Sequence, residues 1–326
     1  MVAPLRTAFL FPGQGSQTPH MLSFPGLCRD TLDEAARLLA SDSAYPPLQE
    51  LDHPDNIAHS TNAQLALLIE GVAAARALTR RWHTPAPGVV AGHSVGAFAA
   101  AVIAGALTFT EALQAVALRG AAMEHTRDSC ASETHRPDKR QHWGMAAVVG
   151  IDMRVARQIA DQVSTTDNPL WIANINSRRQ IVFSGTRESL GILSVAAERS
   201  GAQRVEQLAV GVASHCPLQQ PVRNALAKHL STVPERPLTA TYLTNTRGRR
   251  ARTSRDILTD LVDSVAQPIH WRTIVELLPE LGVSTAVEMP PDHILTHLAS
   301  DQVELNSIAV AGIGLESTAQ MIKLNL

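Results

Sequence analysis

Ser94 lies in a sequence pattern that favours nucleophilic chemistry. It is the central residue of "GHSVG", residues 92–96, between the apolar run "GVVAG" and the helical pattern "SVGAFAAAVIAG". In a G-x-S-x-G turn the glycines allow a sharp bend that exposes the serine hydroxyl, and the next helix directs free N–H groups toward a developing oxyanion. The flanking strand and helix patterns therefore predict that Ser94 is a nucleophile.

A serine nucleophile needs a base at neutral pH, and His215 is the histidine whose context fits best. The chain has 13 histidines, and His215 lies in "AVGVASHCPLQQPV", where a strand-like run passes into a helical pattern. Loops at such junctions often carry catalytic groups. His93 is a poorer candidate, because neighbouring side chains on a turn point apart. Context alone also leaves open that His215 only caps or packs against the following helix.

Arg119 places a charge on an apolar helical face. On the predicted helix 108–126 it shares one stripe with Ala112, Val116 and Met123. Burying the guanidinium without a partner would cost several kcal/mol, so an anionic partner is expected. That partner is either an internal Asp or Glu or the free carboxylate of a dicarboxylic acyl group, held by two parallel hydrogen bonds. A side chain that reaches the surface is the third possibility.

The glycine-rich turn "FPGQGSQ", residues 11–17, follows the strand-like run "TAFLF". It lacks the lysine of the phosphate-binding pattern G-x-x-x-x-G-K-[ST] and does not match G-x-G-x-x-G. A tight turn that presents the backbone N–H or the amide of Gln14 to a bound group fits better. A turn without a binding role is the alternative.

The elements that must position these residues alternate between strands and helices, which predicts an α/β fold. Residues 143–209 follow the order strand, helix, strand, strand, helix, strand, which predicts a small ferredoxin-like domain. We expect it to be inserted into a large α/β-hydrolase-like domain with a parallel sheet, formed by residues 1–142 and 210–326. The polar run at 127–142 is predicted to be an exposed loop at the domain edge.

Composition and charge exclude several classes of protein. With 28 basic and 30 acidic residues, the net charge of −2 gives no reason to expect a nucleic acid or anionic-membrane partner. The uncharged stretch 89–109 is long enough to span a bilayer, but its glycines, His93 and Ser94 mark a turn instead. The three cysteines form neither a disulfide framework nor a metal site, which suits a reducing cytoplasm.

Four separated features, "FPGQGSQ", "GHSVG", Arg119 and "SHCPLQQP", occur in the order and spacing of the malonyl-CoA:acyl carrier protein transacylases. "NINSRRQIVFSG" and "QPIHW" are similar to further segments of that family. Within it, the chain resembles most the malonate decarboxylase epsilon subunit, through "GHSVGAF", "GMAAVVG" and "YLTNTRGR". Ala97 stands where members of fatty-acid synthesis usually have Glu, which favours the malonate decarboxylase branch.

The resemblance implies a role for each matching residue. Ser94 would attack the thioester of malonyl-CoA, with His215 as general base oriented by the backbone carbonyl of Gln267. The backbone N–H groups of Gln14 and Val95 would form the oxyanion hole. Arg119 would bind the malonyl carboxylate, and Gln64 would line the pocket.

The resemblance also implies the acceptor. The malonyl group would pass from Ser94 to the thiol of a phosphopantetheine-type arm on an acyl carrier protein, with neither a bound cofactor nor a metal. The expected carrier is the malonate decarboxylase subunit, whose arm is a dephospho-CoA derivative. A fatty-acid or polyketide malonyl transacylase is the alternative.

Two other classes of protein stay open. The first is a serine thioesterase or esterase, whose histidine would be oriented by an acid. Candidate acids between Ser94 and His215 are Asp152, Asp161, Asp167 and Glu206. The second is a non-catalytic subunit that only docks a carrier protein, against which the intact set of Ser94, His215 and Arg119 argues.

Overall fold

The computed structural model describes residues 6–41, 45–132 and 142–324. The described chain forms two β-sheets with helices packed against them. The strands are β1 (Thr7–Phe11), β2 (Val89–Gly92), β3 (Trp143–Val149), β4 (Leu170–Ile175), β5 (Gln180–Thr186), β6 (Arg204–Gln207), β7 (Thr241–Tyr242), β8 (Thr285–Glu288) and β9 (Asn306–Ala309).

The helices lie between these strands in chain order, except the last helix, which follows β9. They are α1 (Arg29–Ala40), α2 (Leu48–Leu51), α3 (Ser60–Arg76), α4 (Gly96–Ile103), α5 (Phe109–Ser132), α6 (Met153–Val163), α7 (Arg187–Arg199), α8 (Gln220–Leu230), α9 (Ser254–Asp263), α10 (Trp271–Glu280), α11 (Ile294–Ser300) and α12 (Val310–Leu324).

The first sheet is parallel, with the strand order β7-β2-β1-β8-β9. Both of its faces are covered, because alternate residues of β1 enter different apolar clusters. Phe9 and Phe11 pack with α3, α4 and α5, whereas Ala8 and Leu10 pack with α10 and α11. Since β1 and β2 are parallel and Phe11 is paired with Gly92, the turns that follow the two strands emerge side by side.

The second sheet is antiparallel, with the strand order β4-β5-β3-β6, and one face is covered by α6 and α7. Its elements occur in the predicted order strand, helix, strand, strand, helix, strand. The predicted fold class, α/β with a parallel sheet and a second, antiparallel one, is confirmed. The division into domains 1–142 with 210–326 and 143–209 stays a prediction.

The two sheets are joined by hydrogen bonds between β4 and the segment before α10. Ile175 N–H donates to the Ile269 carbonyl at 2.8 Å, and Ile269 N–H donates to the Ala173 carbonyl at 2.8 Å. The small sheet is therefore anchored by backbone bonds close to the end of the parallel sheet where its strands finish.

One local expectation was wrong. The backbone of α5 continues to Ser132, so the start of the predicted loop 127–142 is helical, and residues 133–141 lie outside the described residues. At the edge of the parallel sheet, β9 pairs with β8, and the helix α12 follows it. None of the described helices combines the length and the apolar character that a membrane span requires.

Candidate active site

Ser94 lies on a tight turn between β2 and α4. Its backbone has a φ of 55°, a left-handed conformation that is costly for a residue with a side chain. The flanking glycines are required by close approach. A Cβ on Gly92 would lie 2.1 Å from the carbonyl carbon of Gly96, and a Cβ on Gly96 would lie 2.2 Å from the Phe11 carbonyl oxygen. The turn thus holds the Ser94 hydroxyl at the carboxyl end of the parallel sheet.

His215 reaches Ser94 from the loop between β6 and α8. Its Nε2 lies 2.9 Å from Ser94 Oγ, and its Nδ1 lies 2.5 Å from the Ser264 carbonyl oxygen. A carbonyl only accepts, so Nδ1 carries the proton and Nε2 is free to accept the hydroxyl proton of Ser94. The structure brings together the predicted serine and histidine.

The prediction that the Gln267 carbonyl orients this histidine was wrong. The acceptor belongs to Ser264, the residue that follows the last turn of α9. Carbonyls at the end of a helix have no partner within the helix, and this one is therefore free to accept from an imidazole. Gln267 is exposed three residues further along the chain.

Burial keeps His215 uncharged. Desolvation and the positive charge of Arg119 lower its pKa to about 3, against the opposing effect of the hydrogen bond to Ser264. A histidine with this pKa is neutral across the physiological range and available as a proton acceptor, although its low basicity makes it a weaker base than an ordinary imidazole.

Arg119 is buried, with 2% of its surface exposed, and its guanidinium faces the nucleophile. Its Nη2 donates to Ser94 Oγ at 3.1 Å, and its Nη1 donates to Gln64 Oε1. Among the described residues, no carboxylate lies within ion-pair distance of it. Burial lowers the pKa of Arg119 to about 10, so it stays charged at neutral pH. Within the described part of the chain, Arg119 is thus a buried cation without an internal anion, beside a hydroxyl.

Gln14 and Gln64 belong to one hydrogen-bonded chain that leads to Arg119. Ser60 Oγ donates to Gln14 Oε1 at 3.2 Å, and Gln64 Nε2 donates to Ser60 Oγ at 2.7 Å. The backbone N–H groups of Gln14 and Val95 donate to no other group in the part of the chain that the structure describes. They are therefore available to a ligand. Ser60 was not among the predicted residues.

Asn245 supports the nucleophile turn from behind and was also missed. Its Oδ1 accepts from Ser94 N–H at 3.2 Å, and its Nδ2 donates to the Gly92 carbonyl at 2.9 Å. The buried carboxylate of Asp260 in turn accepts from Asn245 N–H at 2.8 Å. The available signal was its position three residues after the end of β7, since residues that follow parallel strands converge at one edge of a sheet.

His93 is directed away from the chemistry. Its Nε2 lies 3.1 Å from Oδ1 of Asn176, in the connection between β4 and β5, and its ring packs edge-on against Trp271. Burial lowers the pKa of His93, which keeps it neutral. The contact between His93 and Asn176 therefore links the nucleophile turn to the small sheet.

A hydroxyl, a neutral imidazole and a buried guanidinium within hydrogen-bonding distance, at the carboxyl edge of a parallel sheet, define a site able to transfer acyl groups that carry an anion. Comparison with known proteins gives the family. The sequence model of one protein family, described as the acyl transferase domain, matches residues 8–319 of this chain. The chain belongs to this family.

Named relatives and solved structures cover almost the whole chain. It is 30% identical over 310 residues to the malonyl CoA-acyl carrier protein transacylase of Escherichia coli K12, covering 91% of this chain and 93% of that protein. It is 29% identical over 309 residues to the protein of the same name from Haemophilus influenzae, covering 93% and 94% of the two chains. The fold superposes on the malonyl CoA-acyl carrier protein transacylase of Coxiella burnetii with a TM-score of 0.86, at 28% identity and coverage of 99% and 98%.

These names agree with the predicted transacylase family and S-malonyltransferase activity. A further similar structure, with a TM-score of 0.84 and 29% identity over 96% of this chain and 98% of the other, comes from a complex of a type II polyketide synthase acyl carrier protein with its malonyl-transacylase.

Proposed function

We propose that this protein transfers a malonyl group from malonyl-CoA to the thiol of an acyl carrier protein, with a malonyl-Ser94 intermediate. The observation that carries the proposal is the buried guanidinium of Arg119, 3.1 Å from Ser94 Oγ and without an internal carboxylate in the described chain. A malonyl thioester has a carboxylate about 2.5 Å, two carbon–carbon bonds, from its reactive carbonyl. The guanidinium is close enough to the nucleophile to bind it.

In the first half-reaction, Ser94 Oγ attacks the thioester carbonyl while His215 Nε2 takes the hydroxyl proton across 2.9 Å. The Ser264 carbonyl holds the Nδ1 proton and thereby fixes the reactive tautomer. The unengaged N–H groups of Gln14 and Val95 stabilise the oxyanion of the tetrahedral intermediate. The C–S bond then breaks, and the proton on His215 passes to the leaving CoA thiolate.

In the second half-reaction, a carrier-protein thiol approaches the malonyl-Ser94 ester. His215 takes the thiol proton, the sulfur attacks the ester carbonyl, and the bond between the carbonyl carbon and Ser94 Oγ breaks. The same proton returns to Ser94 Oγ, which regenerates the enzyme. Throughout, the guanidinium of Arg119 holds the malonyl carboxylate with its charge-assisted hydrogen bonds.

A thioesterase is the less supported reading. The histidine of such a site would be oriented by the carboxylate of an Asp or Glu. The side chain of His215 instead has the Ser264 carbonyl and the Ser94 hydroxyl as its hydrogen-bond partners. A hydrolase also has no use for the buried cation of Arg119. The dyad and the cation together support transfer of an acidic acyl group.

The identity of the carrier protein is the finer question. The relatives and the polyketide synthase complex support a fatty-acid or polyketide carrier better than the malonate decarboxylase carrier expected from the sequence. Ala97 is the observation that favours the second candidate, because fatty-acid members usually have Glu there, and here the position is buried on α4.

The first experiment tests the intermediate. Wild type mixed with radioactive malonyl-CoA without acceptor should retain label, and Ser94→Ala should not. Absence of label on the wild type, or release of malonate as fast as transfer, would refute the transacylase proposal.

The second experiment tests the carrier. Transfer rates are measured from the labelled enzyme to a fatty-acid carrier protein and to a malonate decarboxylase carrier protein at equal concentrations. A clear preference for the fatty-acid carrier supports a fatty-acid or polyketide malonyl transacylase. A preference for the malonate decarboxylase carrier supports a malonate decarboxylase subunit instead.

A further inference from the structure

A second polar feature lies beside the site and takes no part in the mechanism above. The turn after β7 carries Arg247, Arg249, Arg250 and Arg252, here called the arginine turn (residues 246–252). These four side chains line a cavity of about 1060 Å³ between the turn and α9, and all four residues are exposed. None of their guanidinium groups has a hydrogen-bond or ion-pair partner within the described ranges.

The acidic residues that line the same cavity are already engaged. Asp256 accepts from Arg252 N–H at 2.8 Å, as the cap of α9, and Asp263 forms an ion pair with Arg223 at 2.8 Å. Asp260 is buried and accepts from the N–H groups of Asn245 and Thr246. Within the described chain, only Asp263 of these three is paired with a cation, but the four arginines outnumber the three carboxylates, so the net charge of the cavity lining is positive.

The arginine turn is held rigid by its own hydrogen bonds. Thr244 N–H donates to the Arg249 carbonyl at 2.9 Å, and Gly248 N–H donates to the Thr244 carbonyl at 2.9 Å. Gly248 has a φ of 58°, and a Cβ there would lie 2.4 Å from Thr273 Cβ. The backbone of the turn is therefore ordered before a ligand binds, and the ordering cost of binding is confined to the arginine side chains.

The cavity lies at the same edge of the sheet as the nucleophile. The arginine turn begins one residue after Asn245, whose Oδ1 is 3.2 Å from Ser94 N. The opposite wall includes Gln267, three residues after the carbonyl that orients His215. Ligands of open α/β sheets bind beyond the carboxyl ends of the strands, which is the region that these two walls enclose.

We propose that this cavity binds the phosphate groups at the nucleotide end of the thioester donor. Guanidinium groups match phosphate oxygens in charge and in geometry, and four of them suit a nucleoside carrying several phosphates. The volume is that of a small-molecule pocket, and a concave cavity fits a nucleotide better than the convex face of a carrier protein. Only the identity of the thioester rests on the proposed function; the phosphate site itself does not.

The direct test measures binding without turnover. Adenosine 3′,5′-bisphosphate is titrated calorimetrically into the wild type, the double variant Arg249→Ala/Arg250→Ala and a control, Arg157→Ala/Arg199→Ala, which removes two exposed arginines from α6 and α7. We expect the Kd of the first variant to rise about tenfold for each charge-assisted hydrogen bond lost, and that of the control to stay within twofold. No binding by the wild type, or an unchanged Kd in the first variant, would overturn the site.

A kinetic test assigns the site to the donor. In the same Arg249→Ala/Arg250→Ala variant, KM for malonyl-CoA should rise at least tenfold, while KM for malonyl-pantetheine, which lacks the nucleotide, should change less than twofold. A rise confined to KM for the carrier protein would mean that the turn docks an acidic protein surface, and would overturn the nucleotide proposal. If the protein transfers no malonyl group at all, the calorimetric result still decides the phosphate site.

Discussion

The helices around the two sheets are buried in different ways. On the small antiparallel sheet, α6 and α7 bury one stripe each and expose the rest, with the buried residues Ala156, Ile159 and Val163 on α6 and Ser189, Leu190, Leu193 and Ala197 on α7. At the parallel sheet, α3 and α4 are buried on nearly every side. The small sheet is a two-layer unit with a solvent face, whereas the site lies in a region enclosed by helices.

The difference shows where burial serves stability and where it serves chemistry. The buried stripes of α6 and α7 are almost wholly apolar and contribute by being removed from water. The enclosed region instead buries Gln64 and Arg119, and burying such groups is costly. We therefore expect substitutions in the two regions to separate stability from activity.

Removing the nucleophile should abolish transfer and leave the fold intact. Ser94→Ala should lower malonyl transfer at least about 10³-fold, because no other group takes the acyl chain. Ser94→Gly should be equally inactive but unfold at a higher temperature than Ser94→Ala, since glycine accepts the φ of 55° without strain. Transfer assays and thermal unfolding of the two variants check this pair. Equal melting temperatures would contradict the strain at the turn.

Truncating the core of the small sheet should have the opposite effect. Phe183 on β5 is fully buried, so Phe183→Ala should lower the free energy of unfolding by about 3–5 kcal/mol. Ile192→Ala on the exposed face of α7 is the control and should change it by less than about 0.5 kcal/mol. Urea unfolding measures both. A comparable loss in the two variants would show that the small sheet has no distinct buried face.

Replacing the buried cation should cost selectivity and not stability. Arg119→Met should lower kcat/KM for malonyl-CoA by about 10²-fold, the equivalent of one or two charge-assisted hydrogen bonds, while acetyl-CoA, which lacks the carboxylate, loses far less. Its free energy of unfolding should equal or exceed that of the wild type, because an unpaired buried charge is removed. Equal losses with both thioesters would contradict the clamp.

The smallest expected effect is a shift in the pH profile. Because burial and the charge of Arg119 lower the pKa of His215 to about 3, kcat/KM of the wild type should not fall near pH 6.5, where an ordinary histidine is protonated. In Arg119→Met, the loss of the nearby positive charge favours the protonated imidazole, so the acid limb should move to higher pH. The pH profile of kcat/KM, measured for the wild type and for Arg119→Met, gives the shift. A move of the acid limb to lower pH in the variant would contradict the prediction.

Features that depend on neighbouring residues in the chain were predictable from the sequence. The spacing of Thr108 and Glu111 predicts a capping box, and at the start of α5 Thr108 N–H donates to Glu111 while Glu111 N–H donates to Thr108 Oγ1. The G-x-S-x-G turn, the stripe that carries Arg119 and the element order of the small sheet were readable for the same reason. Each follows from local spacing in the chain.

Features that depend on distant residues were not predictable. The edge strand β9 is only partly buried and has no clear apolar pattern, so only its pairing with β8 identifies it. The carbonyl that orients His215 comes from Ser264, and the side chain that supports the Ser94 turn comes from Asn245, which is 151 residues away in the chain. A backbone carbonyl carries no signature in residue type.

Residue type and short-range spacing encode the nucleophile turn, the candidate base, the charge on the helix stripe and the α/β class, so these could be read from the chain alone. The folded structure was needed to find that, among the described residues, Arg119 lacks an anionic partner and four arginines without partners line a cavity beside the site. It was also needed to identify the carbonyl that holds His215. Those outcomes depend on which groups meet when parallel strands end at one edge of a sheet, and that convergence is set by the packing of the whole chain.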